Sequence, residues 1–151
     1  MDTDQIRSLE FFPRLSTDIE TLLATRGRIR LETELYSKDE RAGILRVTVA
    51  KDATPTAHEK RWVWGHEHLA PTNGIFIRSL RVAESMRGQG FGSHLLHEAT
   101  KLGRLLEMKV HIHTPVANTR MRRFLRANDF FESIFWHTPK HVLMVRYMQM
   151  P

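Results

Sequence analysis

Residues 79–102 read SLRVAESMRGQGFGSHLLHEATKL: a strand-like apolar end, a basic residue, glycines alternating at 88, 90 and 92, then a second apolar run. Leu95, Leu96, Ala99, Leu102 and Leu106 recur at spacings of three and four, which predicts a helix over Ser93–Met108. Ahead of the glycines, GIFIRSLRV (Gly74–Val82) reads as a strand. A strand feeding a glycine turn that opens a helix builds an anion site. The helix's first N–H groups have no partner within the helix, and the macrodipole adds partial positive charge there. Glycine lets the main chain approach phosphate oxygens closely, and Arg87 adds a full charge beside them. A pyrophosphate fits such a turn. A P-loop is excluded because no lysine follows the glycines. A dinucleotide fingerprint is excluded because Ser93 holds its last glycine's place and the next strand ends without an acid.

Working outward, KVHIHT (Lys109–Thr114) reads as a short strand and NTRMRRFLRAN as a helix with Met121, Phe124 and Leu125 on one face. HVLMVRYM (His141–Met148) closes the chain as a strand. Toward the N-terminus, Thr17–Thr25 reads as a helix with a Thr17–Glu20 capping box and Ile19, Leu22 and Leu23 as its apolar face. Arg28–Tyr36 alternates as a strand, with Ile29, Leu31, Thr33 and Leu35 on one side. Gly43–Ala50 is a second strand joined to it by the hairpin DERAG. RWVWGHEHL (Arg61–Leu69) is expected as a third, followed by a turn over Pro71–Gly74. No internal repeat or linker interrupts the chain. The expectation is a single α/β domain over residues 1–151, a mixed central sheet flanked by helices.

Composition narrows the class. The 151 residues suffice for one domain with a hydrophobic core, and 41% apolar with 26% charged residues is ordinary for a globular protein. No run approaches the length of a membrane span, and MDTDQIRSLE lacks a signal-peptide core, so a cytoplasmic location is expected. The absence of cysteine excludes disulfides, thiolate zinc sites and a cysteine nucleophile. A net charge of +6 favours anionic partners, and Arg120, Arg122, Arg123 and Arg126 concentrate part of it.

The arrangement Arg-x-x-Gly-x-Gly after Leu80-Arg81-Val82 resembles the acetyl-CoA loop of the GNAT family of N-acetyltransferases. The resemblance runs from Ile75 to Tyr147 and rests on linked features. Arg87, Gly88, Gln89, Gly90, Phe91, Gly92 and Ser93 match the pyrophosphate loop, and Leu80, Arg81 and Val82 the strand end that pairs with pantetheine amides. KVHIHTPVAN resembles the splayed fifth strand leading to the family's asparagine, here Asn118, and NTRMRRFLRANDF its following helix, with Phe130 as the final aromatic. The resemblance implies the GNAT acyltransferase fold, acetyl-CoA as co-substrate in a cleft between the strands Gly74–Val82 and Lys109–Thr114, and direct transfer to an amine acceptor. It is compatible with a homodimer. Two positions depart from the pattern. Leu125 stands where a tyrosine commonly protonates the leaving thiolate, and Asp129 replaces a glycine that ends the helix. Asn128-Asp129 still suits that turn, because both tolerate left-handed geometry.

Acetyl transfer needs a neutral amine, hence a proton acceptor. Five residues before the asparagine some family members carry a catalytic glutamate, and His113 holds that position here. A histidine hydrogen-bonded within the sheet is the alternative reading. Ser79, Glu67 and His66 are weaker candidates able to act through water. Paired histidines at 111 and 113 and at 66 and 68 raise a metal site, but H-E-x-x-H is absent and no metal is expected. Of the clustered arginines, one is expected near the cofactor and the rest in solvent. The rival to an enzyme is a basic GNAT-fold module without catalysis that binds nucleic acid or an acidic partner. A third reading is an enzyme whose acceptor amine is carried by nucleic acid.

Overall fold

The computed structural model describes residues 6–8, 15–54, 57, 73–137 and 141–146. Its elements are β1 (Ile6–Ser8), α1 (Leu15–Arg26), β2 (Arg28–Ser37), β3 (Glu40–Ala50), β4 (Gly74–Val82), α2 (Phe91–Leu106), β5 (Val110–Pro115), α3 (Thr119–Ala127), β6 (Phe131–His137) and β7 (His141–Arg146). A 3₁₀ turn over Glu84–Met86 joins β4 to the glycines. The strands form one seven-stranded sheet in the order β1-β2-β3-β4-β5-β7-β6. Among the described strands only β4 and β5 run parallel; the other neighbours are antiparallel. The expected α/β architecture with a mixed sheet is the observed one.

Period-two burial sets the faces. On β2, Ile29, Thr33 and Leu35 are buried while Arg30 and Glu32 are exposed. Leu45, Val47 and Val49 of β3 and Ile75 and Ile77 of β4 continue the buried face. Against it lie Ile19 and Leu23 of α1 and Leu95, Leu96, Ala99 and Leu102 of α2. Each of the buried valine, leucine and isoleucine side chains contributes about 1.5–3 kcal/mol on burial.

Several expectations shift. The β2–β3 hairpin closes through Lys38-Asp39, both at positive φ (50° and 68°), so β3 begins at Glu40 and the five-residue loop DERAG is not formed. α1 begins at Leu15, which places Thr17 inside the first turn instead of at the cap. β5 starts one residue later than expected and runs to Pro115. β1 and β6 were not expected at all. The strand at Arg61–Leu69 lies outside the described residues, as do Pro71, Thr72, Tyr147 and Met148.

Two irregularities shape the middle of the sheet. Arg46 pairs with Ser79 while the next residue, Val47, pairs with Ile77, which leaves Arg78 as an extra residue bulged out of β4. The parallel ladder between β4 and β5 is short. It joins Ile75 to Val110, Phe76 to His111 and Ile77 to Ile112, and stops.

Candidate active site

Beyond that ladder β4 continues to Val82 and β5 to Pro115 without pairing, so the two strands part. The gap is a cleft of about 240 Å³ whose walls include Ser79, Leu80 and Arg81 on one side and His113, Thr114 and Asn118 on the other. On its far edge β4 stays paired with β3, Leu80 lying opposite Leu45 and Val82 opposite Gly43. Among the described residues, the edge that faces the cleft is therefore a row of backbone groups with no strand beside it.

β4 leads into the glycine turn. Gly90 caps α2 in the left-handed region (φ 86°, ψ 4°) and offers no side chain to the helix start. The first helical bond runs from His94 N to Gly90 O at 3.0 Å, so the N–H groups of Phe91, Gly92 and Ser93 precede the ladder. No acidic residue lies in this first turn, and Arg87 stands exposed just ahead. These features fit a bound pyrophosphate. The helix begins two residues earlier than expected, so Phe91 and Gly92, expected in the loop, are residues of its first turn with Ser93. Gly92 also has a packing role: a Cβ there would sit 3.3 Å from Phe124 Cζ of α3.

The two β5 histidines diverge. His113 is half-buried on the cleft wall, with Ser79 across the gap. His111 is 1% exposed, its ring stacked on Phe76 with centroids 4.8 Å apart and its Nδ1 3.4 Å from Ile75 O. Burial pushes the His111 pKa down to about 4, so this ring is neutral at ordinary pH. Among the described residues no group of three or more His, Asp or Glu side chains could hold a metal ion. His66 and Glu67 lie outside the described residues.

Asn118 lines the cleft and caps α3, its Oδ1 accepting from Met121 N at 3.1 Å. Asp129 takes φ 67°, doing the glycine's conformational work at the helix end. Leu125 is fully buried in the core, and its carbonyl accepts from Phe130 N at 3.0 Å. The arginines need a correction. Arg122 donates to Glu132 of β6 through Nε (3.0 Å) and Nη2 (2.6 Å), and to Val116 O through Nη1 (2.9 Å). Arg126 also pairs with Glu132. The two guanidiniums, Arg122 first, hold that carboxyl below its usual range. Two of the four clustered arginines thus tie α3 to β6, while Arg120 and Arg123 are exposed. Glu132 had no sequence signal: its partners are six and ten residues away, across a helix end.

A model described as the acetyltransferase (GNAT) family matches residues 35–130. A search of curated proteins finds no match. Among solved structures, a ribosomal-protein-alanine N-acetyltransferase from Escherichia coli superposes with a TM-score of 0.61 at 14% identity, covering 97% of this chain and 94% of that one. A GNAT family acetyltransferase from Elizabethkingia anophelis with acetyl-CoA bound gives 0.61 at 12% identity, covering 96% and 99%. Arabidopsis thaliana Naa50, in complex with a bisubstrate analogue of CoA, gives 0.59 at 13% identity, covering 94% and 98%. At these identities the likeness is one of fold.

Proposed function

The chain belongs to the acetyltransferase (GNAT) family, and we propose that it carries an acetyl group from acetyl-CoA directly to a primary amine. The observation that carries this reading is the pairing of an open β4 edge with an uncapped α2 start. A single ligand with amides at one end and a pyrophosphate at the other would use both. The turn Arg87–Ser93 holds the pyrophosphate through backbone N–H groups and the Arg87 charge. The β4 edge at Leu80, Arg81 and Val82 receives the pantetheine amides, and Asn118 borders the same cleft. When bound, acetyl-CoA supplies an activated thioester.

The rest falls to this chain's residues. A backbone N–H near Val82 polarises the acyl carbonyl as an oxyanion-type donor. His113 takes the proton from the acceptor amine, with Ser79, or Glu67 acting through water, as the alternatives. With no cysteine in the chain to form a thioester intermediate, both substrates are held together. Leu125 puts no proton donor where the family commonly has one, and a thiolate leaving group tolerates that. A cysteine-free chain suits the reducing cytoplasm, where we place it.

Calorimetry with acetyl-CoA, then CoA release against peptides, polyamines, aminoglycosides and aminoacyl-tRNA, tests the proposal. Saturable binding and release with one amine class are expected. No binding at millimolar acetyl-CoA overturns it, and binding without release from any amine would leave a module that has lost catalysis.

A further inference from the structure

The sheet face opposite α1 and α2 carries charge that acetyl transfer itself does not use. Arg30 and Glu32 of β2, Arg46 of β3 and Arg78 of β4 are all exposed. Glu32 sits directly across from Arg46 and accepts from its Nε at 2.8 Å, both side chains 46% exposed. Arg46 in turn pairs across to Ser79, beside the bulged Arg78. The bulge has a consequence. It turns both Arg78 and Ser79 toward the residue opposite, Arg46, and so brings a third guanidinium onto the same face. Arg81, two residues past Ser79, is also exposed, and it lines the cleft together with Arg78, Ser79 and His113.

The guanidiniums feel one another. Partial burial, and then the charges of Arg30 and Arg46, hold Arg78 below its ordinary range, with Glu32 opposing them. Three arginines against one carboxylate make a cationic stripe about two strand spacings wide, on the order of 10 Å, that ends at the cleft.

Resting on the acetyl-transfer reading, we propose that the acceptor amine belongs to an acidic polypeptide, whose aspartates and glutamates lie on the stripe formed by Arg30, Arg46 and Arg78. Glu32 already demonstrates the contact: a carboxylate seated on an arginine of this face. The stripe is short, matching the few side chains that follow a terminal amine or flank a lysine. A nucleic acid would instead draw on a cationic track spanning many phosphates. On α3, Arg122 and Arg126 are committed to Glu132 and cannot extend such a track.

The test uses three labelled short peptides, each with a free N-terminal amine and one lysine, differing only in acidic, neutral or basic flanks. Fluorescence anisotropy on the full chain reads binding, and CoA release reads transfer. The acidic peptide should bind about tenfold more tightly than the neutral one and lose that advantage in high salt. Arg30→Glu, remote from the cleft wall, and Arg78→Gln should each weaken it by up to about fivefold. Arg30→Glu should leave acetyl-CoA affinity unchanged. Equal binding of acidic and neutral peptides, or an unaltered preference in Arg30→Glu, overturns the proposal. So does displacement of the acidic peptide by tRNA that depends on the same arginines. CoA release separates the two claims. Arginine-dependent binding of the acidic peptide without release sinks acetyl transfer and leaves the ligand of the stripe assigned. Release from neutral peptides as fast as from acidic ones sinks the stripe and leaves acetyl transfer standing.

Discussion

His111 and His113 stand two residues apart on one face of β5, yet the protein gives them different surroundings. At His111 the neighbouring strand is present: Phe76 lies beside it, the ring stacks, and burial holds it neutral. At His113 the ladder with β4 has ended, and the ring meets a cleft. Strand periodicity gives both the same direction; the paired strand gives His111 a packing role, whereas His113 lies along the cleft wall. A histidine's surroundings are thus set here by where two strands part.

The comparison can be broken from either side, beginning with the largest effect. If His113 accepts the amine's proton, His113→Ala lowers kcat by roughly 10²–10⁴-fold while acetyl-CoA affinity and the melting temperature barely change. Steady-state kinetics beside calorimetry would show it. A variant that keeps most of its kcat moves the base to Ser79 or Glu67. His111 should register in stability instead. Its folded pKa of about 4 lies below the unfolded value of 6.5, so the unfolded chain binds more protons between those values. Stability is therefore full above pH 6.5 and falls as pH drops toward 4, by on the order of 3 kcal/mol. Urea unfolding across that window measures it. His111→Phe should remove this contribution to the acid limb and leave kcat unchanged.

A third variant probes the open side at the helix start. Gly90→Asp places a carboxylate where the pyrophosphate belongs and should weaken acetyl-CoA by roughly 100-fold, the scale of lost charge-assisted bonds. Its melting temperature should fall by no more than several degrees, because the aspartate must take the left-handed φ of 86° that glycine adopts freely, and aspartate is among the residues that tolerate it. Calorimetry showing undiminished affinity would remove the phosphate from this turn. The smallest effect belongs to the closed side. Glu132→Gln should cost about 1 kcal/mol by loosening α3 from β6, with kcat per folded molecule unchanged.

Local chemistry made much of this legible. The glycines, the three- and four-residue spacing of α2 and the alternation of β2 each announce themselves within a few residues. Asp129 was readable too, since its tolerance of positive φ is intrinsic to the side chain. The failures all depend on distant partners. β6 lacks even alternation, and its register with β7 shifts between Glu132 and His137, so FESIFWH gives no clean period. β1 is three residues long at the sheet edge. The Arg78 bulge exists only relative to β3, and the capture of Arg122 by Glu132 only once α3 and β6 meet. The cleft was expected through family resemblance alone; nothing in the composition of β4 or β5 says where they separate.

The brevity of the β4–β5 ladder has a mechanical side. A seven-stranded sheet joined at its middle by three residue pairs is two tiles, β1 to β4 and the group β5, β7, β6. The first tile is built from the described strands in their chain order. The second is completed only when β7, the last of the described strands, slots between β5 and β6. On a ribosome the first tile and α2 can assemble while the second still waits for its central strand. In hydrogen exchange the tiles should behave as separate foldons, with the amides of β5 and β7 opening together and at lower free energy than those of β2 and β3.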